Sequence, residues 1–102
     1  MRYRSWETIV AITLDTMLRR DADTLYAQVG SDGVMFNANA GLYHSLNDVG
    51  ARIWELLETP QTAAQIRDRL LEEFDVEERV CQTAVMDFVG KLLDRGVIHA
   101  AP

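Results

Sequence analysis

Two histidines, one cysteine and two adjacent acidic pairs are the residues of this 102-residue chain best suited to chemistry. His44 and His99 offer nitrogens for general base work or metal ligation, and Cys81 offers a sulfur. Glu72 with Glu73, and Glu77 with Glu78, offer paired carboxylates for acid–base catalysis. Their spacing argues against each of these uses. Positions 44, 81 and 99 match no zinc pattern, and the chain has no C-x-x-C, H-E-x-x-H, G-x-S-x-G or phosphate-binding glycine loop. A single cysteine can form no internal disulfide, so Cys81 reads as a small buried hydrophobe. The acidic pairs fall at expected helix ends, where Glu77 and Glu78 complement the positive end of a helix dipole. No catalytic residue, metal or cofactor is expected.

The elements around these residues are read from periodicity. Residues 24–29, "TLYAQV", alternate, "SDG" (31–33) supplies turn chemistry, and "VMF" (34–36) returns, which predicts a hairpin. A second turn cluster, "NANAG" (37–41), with Asn39 and Gly41 suited to positive φ, leads into a third strand, "LYHSL" (42–46). Asn47 caps a first helix over about 48–58 that Pro60 stops. "TAAQ" (62–65) matches a capping box for a second helix over about 63–74. A third helix is predicted over about 77–94, closed by Gly96, and "VIHA" (97–100) can return as a short strand. Upstream, "TIVAITL" (8–14) lies among arginines and reads as an exposed arm, with 1–11 the most loosely tethered part. The order is α+β: a three-stranded antiparallel sheet, then three helices, in one domain spanning 1–102.

Composition narrows the partners. With 16 acidic and 10 basic residues the net charge is −6, which disfavours a phosphate-backbone binder. A winged-helix DNA reader would have only Arg79, Lys91 and Arg95 as bases on its third helix. No apolar run approaches the roughly 20 residues that span a membrane. With no signal peptide discernible, a cytoplasmic location is the default.

Two surfaces exceed what folding requires. On the third helix, apolar or small residues at 80, 81, 84, 85, 88, 89, 92 and 93 spread over an arc of roughly 220°, when one core contact needs about 100°. The strand 42–46 ends a meander and carries no Pro or Lys to blunt its edge. An edge strand beside an apolar groove is a template for an extended peptide: the backbone supplies affinity and pockets supply selectivity. The competing readings are that "TIVAITL" (8–14), from this chain or a second copy, covers that edge, and that the chain is a small acidic subunit or homodimer whose surplus apolar arc is a permanent interface.

The segment "GLYHSLNDVGARIWELLETPQTAAQIRDRLLEEFDV", with "FVGKLLDRGVI" after it, resembles the PqqD-like family of RiPP recognition elements. The resemblance covers roughly residues 12–99 and is nearest to the free-standing proteins of lasso-peptide biosynthesis. It implies a winged helix-turn-helix fold and a non-catalytic activity. The leader segment of a precursor peptide would add to the third strand, at Leu42, Tyr43, His44, Ser45 and Leu46. It would lie against the third helix, at Val80, Ala84, Asp87, Phe88 and Lys91. The implied partners are a transglutaminase-like leader peptidase and a cyclase. The alternative within the family is a peptide chaperone for a radical SAM maturase.

Overall fold

A computed structural model describes residues 12–38 and 41–101, with Leu42 and Ala101 described by backbone alone. Residues 1–11 of the expected arm and the turn residue Asn39 lie outside the described residues; at 12–14 the exposed arm is not found, because Ile12 is buried and Leu14 packs against the core, its carbonyl accepting the Ala64 N–H at 3.0 Å. The α+β order is as expected, but the strands form two sheets. Met17–Arg20 (β1) is the centre of one, between the two-residue strand Gln61–Thr62 (β5) and Ile98–Ala101 (β6). Thr24–Val29 (β2), Asp32–Asn37 (β3) and Leu42–Leu46 (β4) form the other, an antiparallel meander. Among the described residues the helices are Asp48–Leu56 (α1), Ala63–Glu73 (α2) and Glu78–Asp94 (α3).

In the meander, Gly30 takes φ 65° in a two-residue turn. That left-handed residue at the first central position suits the right-handed twist of a tight hairpin. The turn is therefore Gly30–Ser31, one residue earlier than the expected 31–33 cluster, and β3 begins at Asp32. Gly41, at φ 66°, closes the second turn as expected and donates its N–H to the Asn37 carbonyl at 2.8 Å. Alternation in β2 is real, but the aliphatic face is the exposed one: Leu25 and Val29 are 66% and 62% exposed. Tyr26 faces inward instead. Its ring lies over Gly33, where even a methyl group would collide with it, and meets Trp54 at 6.2 Å between centroids.

The helix ends are set by local chemistry. Asn47 Oδ1 accepts the Gly50 N–H at 2.9 Å, opening α1. Thr62 and Gln65 form the reciprocal capping box of α2 at 3.1 and 2.9 Å. At the other end of α3, Gly96 takes φ 74°; its N–H reaches the Leu93 carbonyl and the Val97 N–H reaches Leu92, each at 3.1 Å. This is a Schellman cap, locked by burial of Leu92 and Val97.

The core lies between the helices and the inner faces of both sheets, with Leu18, Met35, Trp54, Ile66, Val85, Val89 and Ile98 fully buried. One polar knot joins the sheets. Asp21, just after β1, accepts from Asn37 Nδ2 at 3.0 Å and meets His99 Nε2 on β6 at 2.7 Å. Asn37, buried on β3, also donates to Thr24 Oγ1 at 2.8 Å.

Candidate functional site

The register of the meander determines what its last strand offers. A two-residue loop makes Val29 and Asp32 a hydrogen-bonded pair, and in an antiparallel ladder such pairs alternate. Residues 32, 34 and 36 of β3 therefore bond to β2, and 33, 35 and 37 bond to β4. Through the pairs Gly33 with Leu46, Met35 with His44 and Asn37 with Leu42, residues 42, 44 and 46 spend their backbone groups on β3. Tyr43 and Ser45 turn their N–H and C=O groups outward. Among the described residues no strand pairs with that edge.

Helix α3 runs beside this edge. Phe88 packs against Gly50 at the start of α1, so closely that a Cβ at Gly50 would stand 3.1 Å from its Cζ and 3.4 Å from Leu46. Seven residues on, two turns further along the helix, Arg95 reaches His44. Toward its N-terminus α3 separates from α1, leaving an apolar groove of about 430 Å³. One wall is Val49, Gly50 and Ile53 from α1, entered at Asn47; the other is Val80, Cys81, Ala84, Val85 and Phe88 from α3. Leu70 of α2 closes the end together with Phe74, Asp75 and Val76 of the α2–α3 turn.

The groove lining holds one carboxylate, Asp75, and one thiol, Cys81, and no histidine. Burial pushes the Cys81 thiol up, so it stays protonated at neutral pH, with its Sγ 3.8 Å from the Arg67 carbonyl. His44 and His99 occupy separate neighbourhoods, one with Arg95 and the other with Asp21. Glu73 is engaged by Arg52 at 2.7 and 2.8 Å, which holds its carboxyl below the usual range. Among the described residues, no group of three or more histidine, cysteine or acidic side chains comes together to hold a metal.

The candidate residues read from the sequence divide into three sets. Val80, Ala84 and Phe88 line the groove, with Val80 at its rim, 57% exposed. On β4, Leu46 is buried, His44 is half-buried on the helix-facing side, and Ser45 and Tyr43 point to the outer face. There the Tyr43 ring meets Phe36 at 4.7 Å. Asp87 and Lys91 are exposed on the α3 flank, outside the groove lining. Sequence reading did not find the opposite wall, Val49, Gly50 and Ile53, nor Phe74 and Val76. The "VGARI" start of α1 was visible as an amphipathic face; which part of it stays uncovered depends on where α3 packs.

The chain resembles known proteins over most of its length. Three solved structures share its fold. One, described as TbiB1 in complex with the TbiA(beta) leader peptide, is 24% identical with a TM-score of 0.75, covering 82% of this chain and 98% of that one. A lasso peptide synthetase B1 complexed with the leader peptide is 25% identical, covering 80% and 96%, with a TM-score of 0.68. The PqqD truncation of Methylobacterium extorquens PqqCD is described as a functional, stand-alone RiPP recognition element. It is 14% identical, covering 89% and 97%, with a TM-score of 0.72. No curated protein matches the chain. The family model for coenzyme PQQ synthesis protein D matches residues 32–98, from the start of β3 to the start of β6, and the chain belongs to this PqqD family.

Proposed function

We propose that this chain is a non-catalytic recognition protein for the leader segment of a ribosomally made precursor peptide. The leader adds as a strand to the open edge of β4, bonding to the backbone of Tyr43 and Ser45. Its side chains enter the groove between α1 and α3. The domain then presents the bound precursor to a leader peptidase and a cyclase, in the cytoplasm where ribosomal peptides are made.

One observation carries the proposal: a strand edge unpaired among the described residues runs through Asn47 directly into an apolar groove of about 430 Å³. An edge without a groove would pair with any extended chain; a groove without an edge would lack the backbone donors that fix a peptide's register. Both are preformed, held by the Asn47 cap and the Schellman cap, so little ordering cost falls on the protein. Two of the three similar structures are described as holding a leader peptide, and both are nearer in sequence than the Methylobacterium extorquens protein, which favours lasso-type precursors.

Isothermal titration with a synthetic leader from the neighbouring precursor gene tests the reading. Saturable binding is expected, lost when the leader's aromatic anchor becomes Ala. Absence of heat at protein concentrations on the order of tens of micromolar contradicts it and favours an obligate subunit.

A further inference from the structure

The groove accounts for apolar contacts, but the edge strand carries a polar feature that strand addition by itself does not use. Arg95 is the C-cap residue of α3. Its guanidinium Nη1 lies 2.7 Å from His44 Nδ1 and 2.5 Å from Nε2. A neutral imidazole has a single acceptor nitrogen, so most of the five donors of Arg95 remain unspent. Burial, and secondarily the facing guanidinium, push the His44 pKa down. That keeps the ring neutral beside its cationic neighbour.

The Arg95 charge complements the C-terminal end of the helix dipole, but among the described residues neither a capping hydrogen bond nor an internal ion pair engages its side chain. The final carbonyls of α3 are met by backbone: Lys91 by the Arg95 N–H, Leu92 by Val97 and Leu93 by Gly96. No described carboxylate lies within ion-pair distance of the guanidinium. Arg52 is committed to Glu73 and Glu55, Arg67 to Asp68, and Arg69 to Glu72 and Glu73, while Arg19 and Arg79 are exposed away from the β4 edge. Arg20 donates to the Trp54 carbonyl and lies over the Trp54 ring. In a chain with 16 acidic residues, a cation left against a histidine is poised for a carboxylate from outside. Lys91, one turn earlier and exposed on the same flank, adds to the positive field.

The position specifies the partner. His44 lies on the helix-facing side of β4 and spends its backbone on β3, so it sits at a non-hydrogen-bonded site of the open edge. Cross-strand side chains approach most closely at such sites in antiparallel pairing. The residue of an added strand opposite His44 therefore projects its side chain toward Arg95. Resting on the proposed leader-binding role, we infer that His44 and Arg95 form a specificity site reading an acidic side chain of the leader. The guanidinium takes the Asp or Glu carboxylate, and the neutral imidazole orients the guanidinium.

The test is a titration matrix. The synthetic leader, and variants in which each Asp becomes Asn and each Glu becomes Gln in turn, are titrated against wild-type protein and Arg95→Gln. One substitution should weaken wild-type binding about fivefold, and the loss should shrink in added salt. The same peptide should bind Arg95→Gln no more weakly than the unsubstituted leader does. Thermal melts establish that Arg95→Gln is folded. If every acidic substitution affects both proteins equally, or if the leader binds without an acidic residue, the specificity site is overturned while strand addition stands. If no peptide binds either protein, both readings fall together.

Discussion

The two sheets use the same antiparallel geometry for different ends. In β5–β1–β6, four residues at 17–20 are held between strands some 40 and 80 positions away along the chain, so the sheet fastens the start of the domain to its finish. In β2–β3–β4, each strand pairs with its neighbour through a short turn, and the last strand has one edge open among the described residues. Among the described residues both sheets leave their outer strands open on one side, and the meander differs in placing one such edge, that of β4, beside the apolar groove. Stability and binding should accordingly separate between the sheets.

The largest effect is expected in the fastener. Leu18 on β1 is 1% exposed, and Leu18→Ala should cost about 3 kcal/mol in urea denaturation, leaving the folded protein's leader affinity within about twofold. In the template the pattern should invert. Ser45→Pro removes an outward N–H without touching the β3 ladder, so leader affinity should fall more than about tenfold, or about 1.4 kcal/mol, with little change in the urea midpoint. Comparable losses of stability in the two variants would erase the distinction.

The knot between the sheets comes next. Asn37→Ala should cost about 1–2 kcal/mol, because Asp21 and Thr24 lose a buried donor. The hydrogen bond from His99, above all, holds the Asp21 carboxyl below its ordinary range. A depressed carboxylate contributes stability that is present above its unfolded pKa and lost as pH falls through the folded one. Stability should decline below about pH 4, and Asp21→Asn should flatten that acid limb in pH-dependent denaturation.

The smallest effect lies on the back of α3. Mid-helix Gly90 invites the expectation of close packing, but a Cβ there would meet nothing within 4 Å. Gly90→Ala should therefore stabilise the protein by about 1 kcal/mol through helix propensity, with leader affinity unchanged.

The same contrast explains what was legible in the sequence. The meander, the three helices and their caps at Asn47, Thr62 and Gly96 rest on neighbours within a few residues, and all were readable. β1 and β5 were not: "MLRR" and "QT" have no strand pattern of their own and become strands only because β6 and the α2 cap place partners beside them. The facing of β2 was hidden for a related reason, since Gly33 clears the space that draws Tyr26, rather than the aliphatic residues, inward. The surplus apolar arc of α3 announced a groove, but its second wall is set by how α1 and the Phe74–Val76 turn pack across from it. His44 was visible on the edge strand. Its partner Arg95, 51 residues away, required the fold.

The most direct measurement is an amide-resolved NMR titration of the labelled protein with the synthetic leader, followed by hydrogen exchange of the complex. Strand addition predicts that the Tyr43 and Ser45 amides shift and gain protection together with resonances of Val80, Val85 and Phe88. Tyr43 and Ser45 amides that exchange as fast as in the free protein, with the shifts confined to the outer face around Leu25 and Val29, would contradict it.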